Sequence, residues 1–294
     1  MRFRLGTRGS TLALIQSELL ANLLRDAGHD VEVVRIVTEG DVRPPDTTPG
    51  EGMFVAAIAR ALVRGEIDVA VHSAKDVPLE AEPELVIAAY PERADARDAL
   101  VTRSGTATIA TLPRGATVGT DSPRRAGFLR AARADLRVVP LHGNVDTRLR
   151  RLDAGEVDAI VIAAAGLDRL GQGARIDERL DPAAVTPAPA QGALALQARR
   201  ADVPRFEVLA RFDRPEIRLA VEAERRVLGA TGGTCRAPVG ALASVDGDRF
   251  EMTVGGVNSD GSDLRLETVR GRRGDALRLA DEAGHRLARA VALR

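Results

Sequence analysis

Asp76 follows Lys75, the single lysine of a chain that otherwise writes its side-chain cations as arginine. The two stand just past an apolar run, residues 67–71, within "DVAVHSAKDVP" (68–78). A carboxylate at a strand end can accept a proton or stabilise a developing cation. An ammonium beside it favours its ionised form. Lysine is a compact point charge with three donors, where arginine is a planar fork, so a crowded site that holds one oxygen suits the smaller head. Asp76 reads equally well as a helix N-cap paired with Lys75.

The arginines suggest anion chemistry. Arg8 lies in the turn "GTRGS", Arg148 in "GNVDTRL" and Arg169 in "GLDRLG". Arg124 and Arg125 follow Gly119-Thr120-Asp121-Ser122 and open a predicted helix. A helix N-terminus already presents positive charge, so two cations there are disfavoured unless an anion sits with them. Ser10, Ser122 and nearby backbone N–H groups would add donors, and arginine suits bidentate contact with carboxylates. Solvated surface arginine is the plainer alternative. Cys235, in "GGTCRAPVG" (232–240), is the one thiol, and Arg236 beside it would increase its thiolate content. It reads either as a nucleophile on a glycine-rich loop or as a small buried hydrophobe.

These residues need a scaffold, and 294 residues allow about two or three domains. Formal net charge is zero and aromatics are 2% with no Trp, which argues against a general polyanion binder or a base-stacking platform. No apolar run reaches the length of a membrane span, and Gly6–Ser10 interrupts any signal-peptide core, so a cytoplasmic protein without a membrane partner is expected. One Cys and four scattered His show no metal-ligand spacing, so no metal is expected.

Strand and helix signals alternate from the start. Residues 3–5 read as a strand and Ser10 as the cap of a helix to about residue 25, with Leu12, Ile15, Leu19 and Leu23 as its apolar stripe. A strand at 31–37, a loop at 40–52, a helix at 53–63 and a strand at 67–71 follow. The second segment repeats the pattern: "GEIDVAVHSAKD" (65–76) and "GEVDAIVIAAAG" (155–166) match in order, as do the turns "LGTRGS" and "VGTDSP". This predicts two similar α/β domains with mostly parallel sheets, facing across a cleft that strand ends would line. The repeat puts Gly166 where the first half has Asp76, so the carboxylate belongs to one wall. Stretches 91–101 and 186–197 read as two crossings that form a hinge, with 193–197 returning as a strand to the first domain. From about residue 215 a helix, three strands with Asp-Gly turns and a final helix predict a small C-terminal α+β domain with an antiparallel sheet.

The motifs in sequence, "RLGTRGSTLALIQ" (4–16), "HSAKDVP" (72–78), "RDALV" (97–101), "VGTDSPRR" (118–125), "GNVDTRL" (143–149), "PAPAQGAL" (187–194) and "GGTCRAPVG" (232–240), resemble the porphobilinogen deaminase family. The resemblance implies two periplasmic-binding-protein-like α/β domains with a hinge and a small third domain. Its boundaries would be 1–92 with 193–212, then 98–187, then 216–294. It implies a dipyrromethane cofactor held through a thioether by Cys235, and condensation of four porphobilinogen molecules, with loss of ammonia, into hydroxymethylbilane. Asp76 would be catalytic. Lys75, Thr120, Ser122, Arg124 and Arg125 would meet the cofactor's carboxylates, and Arg8, Ser10, Gln16, His142, Arg148 and Arg169 would meet the substrate or growing chain. A monomer with no nucleic-acid partner is expected.

Three residues depart from the family pattern: Glu51 and His142 stand where a cation is usual, and Asp121 where serine is common. All lower local positive charge and bear on chain elongation. The alternatives are a diverged paralogue or a binding protein that holds a linear pyrrole or other polycarboxylate without elongating it.

Overall fold

The computed structural model describes residues 1–38, 52, 55–80, 82–204, 206–233 and 237–291. The chain divides into two compact units, Met1–Arg93 with Ala193–Arg218, and Ala94–Gly192 with Leu219–Arg294.

In unit 1, β1 (Arg2–Thr7) turns into α1 (Thr11–Asp26), where the Ser10 hydroxyl accepts the Ala13 N–H at 3.3 Å as the N-cap. Next come β2 (Asp30–Arg35), α2 (Ala56–Val63), β3 (Val69–Ser73) and β4 (Leu85–Ala89). In unit 2, β5 (Asp98–Thr102) and β6 (Thr117–Gly119) precede α3 (Pro123–Ala132), which has Ser122 as N-cap and Pro123 in its first turn. Then come β7 (Arg137–Val139), α4 (Val145–Asp153), β8 (Ala159–Ala163), α5 (Ala164–Arg169) and β9 (Glu178–Arg179). The chain returns to unit 1 as β10 (Leu194–Arg199), followed by α6 (Glu207–Phe212). It closes with α7 (Pro215–Ala230), β11 (Val239–Asp246), β12 (Arg249–Gly256), β13 (Arg265–Arg272) and α8 (Ala276–Ala290).

The two large sheets share one plan. Their orders are β2-β1-β3-β10-β4 and β7-β6-β8-β5-β9. Each sets three parallel strands beside one antiparallel strand and an outer strand. The antiparallel strand comes last in unit 1 and first in unit 2. The repeated sequences form β3 and β8, which hold equivalent central places. Both are buried on both faces: Val69 and Val71 pack with Phe3, Leu20 and Leu196, while Ala70 faces Ile58 and Leu62. In β8, Val161 packs with Phe128 and Leu129, and Ile160 and Ile162 with Leu149 and Leu152. Two-sided burial is why both strands read as unbroken apolar runs. The third sheet is the antiparallel meander β11-β12-β13.

Several local readings change. The buried stripe of α1 is Gln16, Ser17, Leu20, Ala21 and Leu24, whereas Leu19 and Leu23 are exposed. Polar Gln16 lies in the buried stripe because its amide meets Ser73 at the end of β3. The alanine-rich end of "AIVIAAAG" leaves the strand at Ala163 and becomes α5, a switch that short apolar runs do not reveal. Residues 98–101, read as part of a crossing, belong to β5, an inner strand of its sheet between β8 and β9.

Candidate functional site

In unit 1 the end of β3 runs into a single 3-10 turn, Ala74–Asp76. Lys75 and Asp76 are both half-buried there. The turn has no side-chain cap, and among the described residues the Asp76 carboxylate makes no hydrogen bond or ion pair. Arg8 and Ser10 lie in the turn between β1 and α1, and the buried Gln16 donates its amide to Ser73 Oγ at 3.1 Å.

His72, next to that hydroxyl, is buried and bonded to Gln197 Oε1 at 3.2 Å. Burial outweighs this bond and pushes the imidazole down to about 4. An unfolded imidazole titrates near ~6.5. The unfolded chain therefore binds more protons in the interval between, and stability is lost as pH falls through it. We expect urea titrations to show about 3 kcal/mol of stability draining away below pH 6.5, with a His72→Gln variant showing a shallower decline. Parallel pH curves would refute this.

Unit 2 gathers its arginines around an acid. Arg124 donates through Nη2 to Asp98 Oδ2 at 2.7 Å and through Nη1 to the Thr186 carbonyl at 2.5 Å. Arg125 donates through Nε to Asp98 Oδ1 at 2.9 Å and through Nη2 to Gln191 Oε1 at 3.2 Å. Gln191 Nε2 donates to Asp98 Oδ1 at 2.9 Å and to the Ala96 carbonyl at 2.7 Å. All four side chains are buried. Burial works to raise the Asp98 carboxyl, but the two guanidinium groups prevail and hold it at about 2. Burial lowers Arg124, with Asp98 opposing. The anion that the helix-dipole argument calls for thus has an internal source in Asp98.

The remaining residues frame this cluster. The buried Thr120 accepts the Ser122 N–H on its hydroxyl at 3.3 Å, and Ser122 Oγ accepts the Arg125 N–H at 3.4 Å. Half-buried Arg148 donates to the Gly143 carbonyl at 2.8 Å. Desolvation first and Arg125 second push its guanidinium down to about 10, still charged at neutral pH. His142 Nδ1 lies 3.0 Å from Asp121 Oδ2, so two of the three departures from the family pattern are neighbours. Arg169 donates to the Gly192 carbonyl at 2.9 Å. Gly192 has φ +87°, and a Cβ there would lie 2.4 Å from the Ala94 carbonyl oxygen, so this close approach admits only glycine. Cys235, Arg236 and Glu51 lie outside the described residues.

Sequence reasoning missed Asp98 and Gln191. Asp98 had a signal: a charged residue opening the apolar run "DALV" needs a buried partner. Gln191 had none, because its partners are far along the chain. Among the described residues no cluster of His, Cys, Asp and Glu could hold a metal ion, and no helix is long and apolar enough to cross a membrane.

Comparison with known proteins bears on this arrangement. Residues 3–205 match the family model for the porphobilinogen deaminase dipyrromethane cofactor binding domain, and residues 218–292 match the porphobilinogen deaminase C-terminal domain. The porphobilinogen deaminase of Acidothermus cellulolyticus is 48% identical over 292 residues, covering 97% of this chain and 87% of the relative. That of Mycolicibacterium gilvum is 46% identical over 272 residues, covering 89% and 87%. That of Roseiflexus castenholzii is 49% identical over 251 residues, covering 84% and 82%. With both family models matched in order and relatives this similar over most of its length, the chain belongs to the porphobilinogen deaminase family.

Proposed function

We propose that, within the family's synthesis of hydroxymethylbilane from four porphobilinogen molecules, Asp76 is the catalytic carboxylate and Cys235 holds the dipyrromethane through a thioether. The observation that carries the catalytic assignment is the state of Asp76. It is half-buried just past β3, beside the single lysine, and without a hydrogen-bond or ion-pair partner among the described residues. An acid left unengaged is available to a reacting group.

The residues fit a dipyrromethane by donor chemistry. That group carries acetate and propionate arms, and when bound it supplies the nucleophilic pyrrole carbon to which units are added. In unit 1, Lys75 offers an ammonium. In unit 2, Ser122 and Thr120 offer hydroxyls and Arg124 and Arg125 offer guanidinium groups whose orientation Asp98 holds. Arg8, Ser10, Gln16, His142, Arg148 and Arg169 receive substrate or growing chain, and the charge on Arg148 suits carboxylate contacts. Each ring added brings two more negative charges to a protein of zero net charge, so local arginine clusters, rather than a global field, must hold the product. Asp76 stabilises the electron-poor pyrrole formed on loss of ammonia and moves protons at its nitrogen or at the leaving amine. The protein acts as a monomer in the cytoplasm.

Intact-mass measurement tests the attachment. The purified protein is expected to be heavier than its sequence by one dipyrromethane, to keep that mass through denaturation, and to yield it on the peptide containing Cys235. An unmodified Cys235 peptide from active enzyme would refute the thioether.

A further inference from the structure

Glu224 lies in α7, which leads through residues 231–233 into the segment containing Cys235. It is fully buried in unit 2. Its Oε2 accepts the Ala190 N–H at 2.6 Å and its Oε1 accepts the Ala243 N–H of β11 at 2.7 Å. Ala190 has φ +64°, a left-handed conformation that costs an alanine about 1–2 kcal/mol. The next residue is Gln191, whose amide bonds to Asp98, to Arg125 and to the Ala96 carbonyl. The segment is also pinned from the small sheet, where the Ala241 N–H donates to the Pro187 carbonyl at 2.9 Å.

We propose that Glu224 is a positioning residue that ties the helix leading to Cys235 to the arginine pair, through Ala190 and Gln191. The strained alanine is what makes the tie informative. Strain of this kind persists only where the surroundings over-determine it, and the Glu224 oxygen is a local restraint on that peptide. With a glutamine at 224, one of the two oxygens becomes an NH2 group facing an N–H. One backbone donor then loses its acceptor inside the core. The strained Ala190 peptide is the one that yields, the remaining oxygen staying with the Ala243 N–H of β11. The segment around Ala190 therefore relaxes toward negative φ, Gln191 moves with it, and Arg125 and Asp98 lose the amide that bridges them. The proposal rests on the reading that Arg124 and Arg125 meet the cofactor's carboxylates and so seat the carbon to which porphobilinogen is added.

The test is a double-mutant cycle on the holoenzyme, read as KM and kcat for porphobilinogen. Glu224→Gln is expected to raise KM about tenfold, a typical coupling for a residue that acts through others, with kcat changed less. Arg125→Lys raises KM as well, and the double variant is little worse than the worse single one. Ala190→Gly is the second arm. Glycine holds φ +64° without a restraint, so adding it to Glu224→Gln recovers part of the lost KM, and it also carries the glutamine variant if that variant folds poorly alone. An additive cycle, or no recovery with glycine, overturns the relay while leaving the arginine reading in place. An Arg125→Lys variant with unchanged KM overturns the arginine reading and the relay with it.

Discussion

Asp76→Ala is expected to lower kcat for hydroxymethylbilane formation by about 10²–10³-fold while changing the unfolding free energy by no more than about 0.5 kcal/mol. The two halves of this expectation have separate grounds. The side chain is half-buried and makes no bond among the described residues, so its removal breaks no contact that holds the fold. The same lack of a partner leaves the carboxylate available to oppose positive charge on a reacting pyrrole, an interaction stronger in the transition state than in the ground state. The Asp76→Asn variant sharpens the test, since it keeps size and polarity but not charge. Product assays with urea titrations check both halves. Turnover by Asp76→Ala at the parent rate would take this residue out of the mechanism.

Asp98→Asn is expected to behave in the opposite way, costing about 3–5 kcal/mol of stability. The cost arises because Arg124 and Arg125 stay buried after their counter-charge is gone. For a domain whose whole stability is about 5–15 kcal/mol, that is a large share. Activity falls with it, since the guanidinium groups lose the acid that orients them. The pH dependence has a definite sign. The folded carboxyl titrates at about 2, below the unfolded value near ~3.9. Its contribution is complete above the unfolded value and is lost as pH falls toward the folded one. Parent and variant stabilities should therefore converge in strong acid and differ most near neutrality. A loss under about 1 kcal/mol at pH 7 would show that the buried ion cluster does not hold unit 2 together.

Much of the scaffold was legible because the chain repeats itself. The matched stretches at 65–76 and 155–166 became β3 and β8, and the matched turns became the Ser10 and Ser122 caps. Periodicity did less well on α1, whose buried stripe includes Gln16 and Ser17 in place of the exposed Leu19 and Leu23. No apolarity pattern can show that a glutamine is inside to meet a serine 57 residues away. The arginine pair shows the limit most clearly. The dipole argument asked for an anion at the start of α3 and looked for it in a ligand. That the anion is Asp98, with Gln191 as its bridge, depends on pairings across 26 and 93 residues that only the folded sheet reveals.

The place of β10 has a consequence for synthesis on the ribosome. It is the last strand of its sheet to be made, yet it lies between β3 and β4 and hydrogen-bonds to both. Until residues 194–199 have emerged, β4 has no neighbour and β3 offers a bare apolar edge, while β5 to β9 of unit 2 are already complete in the nascent chain. The later-encoded sheet can close first, and the earlier one must wait with its interior edges open to chaperones or to other unfinished copies.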